Sequence, residues 1–162
     1  SSLHCKVVKN NLKMDNICNV GGNLWPSEIL DYIEKLSENE KKDRYSIMES
    51  SNPIKNTGEA IRYCKAKEHE YELIPMMQYP VFLDRISKNK GLVFFPGVLE
   101  TLNRVVVEAR MMNCKVITSK KIGATSEPWF SLKGKELIDK MREKRDYIPN
   151  FVMELFKNGR KK

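Results

Sequence analysis

The residues Gly91 to Ser119, GLVFFPGVLETLNRVVVEARMMNCKVITS, restrict the fold more than any other part of the chain. An apolar run, Leu92-Val93-Phe94-Phe95, stops at Pro96 and passes into a short loop, Gly97-Val98-Leu99-Glu100. A helical pattern follows, then a second apolar run at Val116-Ile117-Thr118. Short apolar runs read as strands, and strand, helix, strand in this order makes parallel neighbours joined by a right-handed crossover. Sheets built this way bind ligands beyond the carboxyl ends of their strands, often at helix N-termini. The loop Pro96 to Asn103 is therefore the first place to look for function, with Glu100 in it and Glu108 further along the helix.

The rest of the chain extends the same alternation. A helix is expected from Trp25-Pro26-Ser27 to about Ser37, with Ile29, Leu30, Ile33 and Leu36 as its apolar face. Tyr45 to Met48 reads as a strand, Ser50 to Asn56 as a loop, and Thr57 as the cap of a helix burying Ala60, Ile61 and Cys64. Tyr71 to Ile74 reads as a strand, and Val81, Phe82 and Ile86 as a short helix. After Ser119, the turn-rich stretch Lys120 to Pro128 leads into a helix over Leu132 to Lys144. A separate last helix is expected over Ile148 to Phe156, with Pro149 in its first turn. At the other end, Leu3 to Val8 suggests a strand and Asn10 to Gly22 a loop or junction. This order predicts an α/β fold: an open, mostly parallel sheet with helices on both faces.

Length and composition bound the rest. The chain has 162 residues, room for one domain with a real core. Hydrophobic residues are 41% and charged residues 31%, which excludes a disordered chain, and no apolar run reaches the length of a membrane span. The start, Ser1-Ser2-Leu3-His4-Cys5, lacks the features of a signal peptide, so a cytoplasmic location is expected. It also lacks an initiator Met, which suggests a piece of a longer protein. Cys5, Cys18, Cys64 and Cys114 do not pair at metal-ligand or redox spacing and read as reduced thiols. His4 and His69 stand alone, so neither a metal site nor a histidine triad is expected. The net charge is +8, and Lys157, Arg160, Lys161 and Lys162 supply four of those charges. No nucleic-acid-binding motif accompanies the excess, so nucleic acid is not an expected partner. The basic tail suits a solvated end or peripheral contact with an anionic membrane.

In the expected sheet the loops Ser50–Asn56, Pro96–Asn103 and Ser119–Glu127 emerge at the carboxyl edge. The first carries Lys55, the second Glu100 and a helix start capped by Thr101 or Asn103, the third Gly123 and Glu127. A lysine facing a helix N-terminus forms an anion pocket, in which amide N–H groups bind phosphate oxygens and the ammonium neutralises them. Glutamates accept hydrogen bonds from sugar hydroxyls. One lysine, the two carboxylates Glu100 and Glu108 and a helix terminus thus suit a ligand with both phosphate and sugar. Neither Gly-x-Gly-x-x-Gly nor a Walker lysine loop is present, which argues against a dinucleotide dehydrogenase and a P-loop enzyme.

Phe95-Pro96, Glu100-Thr101, Arg104-Val105-Val106-Val107-Glu108-Ala109, Cys114-Lys115-Val116-Ile117-Thr118-Ser119, Gly123 and Glu127 together resemble the nucleotide-sugar-binding half of GT-B glycosyltransferases. The nearest match is the large retaining family four (glycosyl transferases group 1), whose paired glutamates, separated by seven residues, have the spacing of Glu100 and Glu108. The resemblance covers roughly residues 44–145. It implies the Rossmann-like C-terminal half of a GT-B fold over 44–162, with 1–43 as an N-terminal segment or inter-domain junction. It implies transfer of a sugar from a nucleoside-diphosphate sugar to a glycan or lipid acceptor, with retention and without a metal or other cofactor. By the resemblance, Glu100 contacts hydroxyls of the transferred sugar and Lys55 neutralises the diphosphate and assists the leaving group. Thr101, Leu102 and Asn103 present backbone N–H groups to the donor, and Glu108 holds the ribose.

The chain departs from the family pattern in places. The arginine usual one short loop before the lysine is absent, that region reading Glu49-Ser50-Ser51-Asn52; Arg104 is the candidate substitute. Asn103 stands where glycine is common, and Met112-Asn113 replaces the usual helix-closing Ala-x-Gly. The acceptor-binding half that normally precedes this one has no room in the chain. The alternatives are a degenerate GT-B domain acting as a binding module and a nucleotide-sugar epimerase or phosphorylase of the same architecture.

Overall fold

A computed structural model describes residues 1–159. Its centre is a four-stranded parallel sheet of order β2-β1-β3-β4. The strands are β1 (Lys42–Met48), β2 (Tyr71–Ile74), β3 (Asn89–Phe94) and β4 (Lys115–Thr118). The first three are each followed by a crossover helix: α3 (Thr57–Ala66) after β1, α4 (Tyr79–Ser87) after β2 and α5 (Arg104–Met111) after β3. The expected fold class is therefore found, an α/β open parallel sheet of Rossmann-like form. Register pairs Tyr45 with Tyr71 and Gly91 with both Tyr45 and Lys115. Gly91 is required there, since a Cβ would stand 2.4 Å from the Lys115 carbonyl and 2.7 Å from the Tyr45 ring.

Alternation along the central strands splits the core in two. Leu92 and Phe94 face a large cluster with Leu83, Ile86, Val106 and Val107, beneath α4 and α5. Val93 and Ile47 face a smaller one with Ala60 and Cys64, beneath α3. Helix α2 (Ser27–Ser37) adds Leu30, Ile33 and Leu36 to the large cluster, and Trp25 joins them just before it. Lys41 ties this layer together at the amino edge of the sheet. Its ammonium donates to the carbonyls of Ser87 (2.5 Å) and Met112 (2.8 Å), at the C-terminal ends of α4 and α5. A cation there meets the negative end of both helix dipoles.

Two expected elements differ. Leu3 to Val8 lies in a helix, α1 (Ser2–Leu12), not a strand. Ser1 caps it, its Oγ accepting from His4 N, and its first amides are held by Glu127 and Ser126. These bonds at the helix start prevail over the weak strand preference of Val7-Val8. The two expected C-terminal helices are one, α6 (Gly134–Gly159), which runs through Pro149. Ile148 continues the buried face of Leu137, Ile138 and Met141 up to the residue before the proline, and beyond it the Phe151 ring stacks on Tyr147 with centroids 5.5 Å apart. Beyond it Met153, Leu155 and Phe156 are exposed. Of the basic tail, Arg160 to Lys162 lie outside the described residues. Among the described residues no helix is long and apolar enough to cross a membrane.

Candidate functional site

All three expected loops meet at the carboxyl edge, stitched by backbone bonds. Gly97 N donates to Ile54 O (2.8 Å), joining the loops after β1 and β3. Glu100 N donates to Lys121 O (2.9 Å) and Gly123 N to Glu100 O (2.8 Å), joining the loops after β3 and β4. The chain turns tightly at Gly123, where a Cβ would lie 1.7 Å from the Thr101 carbonyl oxygen. This fixes the backbone on either side of Glu100 and leaves its side chain to point into the space shared with Lys55.

Lys55 and Glu100 form an ion pair, Nζ to Oε1 at 2.9 Å. The other carboxylate oxygen of Glu100 accepts from Asn103 Nδ2 at 2.5 Å. Asn103 is also the cap of α5, its Oδ1 accepting from Val106 N at 3.1 Å. It has φ of 59°, a conformation that glycine and asparagine adopt more readily than other residues. Asparagine therefore supplies the backbone freedom of glycine here and adds a side chain that orients Glu100. Asn113 likewise ends α5 at φ of 62°, as expected for the helix-closing position. The first helix amides at Arg104 and Val105 have no intrahelical partner, as at any helix start. Leu102 is buried beneath the loop and anchors it to the core. Thr57, expected to cap α3, is its first residue. Asn56 occupies the cap position, and the Thr57 hydroxyl donates to Met48 O at 2.8 Å, holding the loop that carries Lys55.

Glu108 sits one helix face deeper and is wholly buried. Its Oε1 accepts from Trp25 Nε1 at 2.8 Å and from the Tyr79 hydroxyl at 2.6 Å. Arg104 Nε lies 3.4 Å from the same oxygen. The guanidinium of Arg104 also stands over the rings of Trp25 (5.4 Å) and Tyr79 (5.9 Å). Oε2 is buried with no hydrogen-bond partner among the described residues. Burial and the Glu108 carboxylate push the Tyr79 hydroxyl well above the ordinary tyrosine range. It therefore stays protonated at neutral pH and acts as a donor.

A cavity of about 260 Å³ opens beside Lys55 and Tyr79 at the carboxyl ends of β1 and β2. Met48, Ile74, Met77 and Phe82 form its apolar walls, with Glu49, Ser50, Lys55 and Tyr79 as polar edges. Lys55, which pairs with Glu100, and Tyr79, which donates to Glu108, both line this cavity, while the two carboxylates stand behind them.

The structure brings Lys55, Glu100, Asn103 and Arg104 together around one loop and one helix start, and encloses Glu108 beneath Arg104, Trp25 and Tyr79. Glu127 does not join them. Its carboxylate accepts from Ser2 N (2.5 Å) and Asn19 Nδ2 (3.1 Å), fastening the N-terminal segment to the loop after β4. Trp25 and Tyr79 are additions the sequence reading lacks. Tyr79 closes a fourth carboxyl-edge loop, Pro75 to Gln78 after β2, which strand order alone makes a neighbour of Lys55. No sequence signal brings Trp25 to the site. Among the described residues no group of three or more His, Cys, Asp or Glu side chains is placed to hold a metal ion. Compared with known protein families, curated proteins and solved structures, the chain matches none of them.

Proposed function

We propose that this chain is the donor-binding domain of a retaining glycosyltransferase, holding a nucleoside-diphosphate sugar at the carboxyl edge of its sheet. The observation that carries the reading is the convergence of Lys55, Glu100 and the start of α5 beside an apolar cavity, with Glu108 one helix face away. Apolar walls of Met48, Met77 and Phe82 suit the flat face of a nucleobase. Lys55 and the amides at the start of α5 suit the diphosphate, where developing negative charge on the leaving group needs a cation. Arg104 adds a second cation at the same edge, in place of the arginine usual to the family. Glu100, held at one oxygen by Asn103, is oriented to accept from sugar hydroxyls once Lys55 turns to phosphate. Glu108 is the ribose partner. The acceptor, a glycan or lipid, is expected to come from a further half of the protein.

Calorimetry with UDP, GDP and their sugars tests this. Wild type is expected to bind one of the two nucleotides, and Glu108→Ala to bind it at least about tenfold more weakly, the loss of one or two hydrogen bonds to a charged acceptor. A folded wild-type protein that binds none of them contradicts the proposal.

A specific observation favours a second reading, a binding module without transferase activity. Both carboxylates are already engaged by the chain's own donors, Glu100 by Lys55 and Asn103, Glu108 by Tyr79 and Trp25. Nucleotide affinity unchanged by Glu100→Gln and Glu108→Gln would support that reading over the first.

A further inference from the structure

Glu108 is wholly buried, so no ligand hydroxyl reaches its carboxylate unless a covering side chain moves. Three side chains cover Oε1, and they differ in their freedom. Trp25 is 1% exposed and wedged into the core. Arg104 stands off at 3.4 Å, at the edge of a hydrogen bond. Tyr79 is only partly buried, is the first residue of α4, and follows a loop in which Met76 is 96% exposed. Its ring forms a wall of the cavity that Lys55 also lines, and its hydroxyl reaches from that wall to Glu108.

We infer that Tyr79 is the gate of this site: its hydroxyl holds the Glu108 oxygen that a ribose needs, and nucleotide binding requires that it let go. The inference rests on the reading of Glu108 as the ribose partner and adds a residue that controls access to it. Rotation of the tyrosine about its first two side-chain torsions opens the cavity wall toward the carboxylate. It removes one donor from Oε1, and Oε2 has none. A vicinal diol supplies two donors, one to replace the tyrosine and one for Oε2. The exchange therefore favours a ribonucleotide over a ligand with a single hydroxyl. Trp25 and Arg104 stay in place and keep the carboxylate compensated while it is exchanged.

The test is calorimetry with UDP and GDP on wild type, Tyr79→Phe, Glu108→Gln and the double variant, with thermal melts to show that each is folded. Tyr79→Phe keeps the ring and removes only the competing hydroxyl. It is expected to tighten nucleotide binding about tenfold, one hydrogen bond's worth of competition removed. The gain is expected to vanish when Glu108 is Gln. Binding that Glu108→Gln weakens but Tyr79→Phe leaves equal or also weakens overturns the gate and leaves the nucleotide reading standing. A gain that persists in the double variant overturns the gate as well. Binding indifferent to Glu108→Gln overturns the gate together with the ribose role of Glu108, and no binding by any folded variant overturns the gate and the nucleotide reading alike.

Discussion

Replacing Trp25 with alanine is expected to destabilise the protein by about 3–5 kcal/mol, the range for removing a large buried aromatic side chain. The ring is 1% exposed and packs with α2 against the layer formed by α5. Its indole N–H is also one of two close donors to Glu108, at 2.8 Å, and it lies beneath the Arg104 guanidinium. Removing it opens a void and leaves a buried carboxylate with fewer partners, and the two effects act in the same direction. Trp25→Phe separates them. It keeps most of the apolar volume, loses the N–H, and is expected to cost about 1–3 kcal/mol. Urea unfolding reads both. If Trp25→Ala falls within about 1 kcal/mol of wild type, the segment before β1 does not share the core with the candidate site.

Gly123→Ala is expected to destabilise by about 3 kcal/mol or more, because the methyl group meets backbone rather than a movable side chain. The Thr101 carbonyl oxygen would lie 1.7 Å from it, so the loop after β3 must shift. That loop carries Glu100, whose N–H and C=O are bound to Lys121 and Gly123 on the strands' carboxyl side. The substitution therefore also displaces Glu100 from Lys55. Gly58→Ala is the control. Its nearest neighbour is the end of the Arg62 side chain at 3.7 Å, and it lies in the first turn of α3. It is expected to be neutral or stabilising by up to about 1 kcal/mol. Chemical denaturation of the two variants side by side tests the contrast, and equal effects would contradict it.

The sheet and its crossovers were legible because their residues obey strong local rules. Leu92 to Phe95 and Val116 to Thr118 are apolar runs cut by Pro96 and Ser119, and such runs specify buried parallel strands. The site loop was legible for the same reason, since Pro96 to Asn103 had to emerge at a carboxyl edge. The miss at Leu3–Val8 has a distant cause: the amides that favour the helix are held by Ser126 and Glu127, more than a hundred residues away. Pro149 marks a helix boundary by the local rule, yet α6 continues through it, with Ile148 buried before it and the Phe151 ring stacked on Tyr147 across it. The shell around Glu108 was the least legible. Trp25 and Tyr79 are separated from it by 83 and 29 residues, and only the packing of α2 and α4 against α5 brings them together.

The central claim is that a nucleotide sits between Lys55, the start of α5 and Glu108, and amide chemical-shift mapping tests it most directly. Titrating isotope-labelled protein with UDP or GDP is expected to move the amides of Lys55, Tyr79 and Thr101 to Val107, while the opposite edge of the sheet stays still. Shifts gathered instead around Lys41, Lys42 and Lys88, which line a separate cavity at that opposite edge, would contradict the claim, as would a folded protein whose spectrum does not respond.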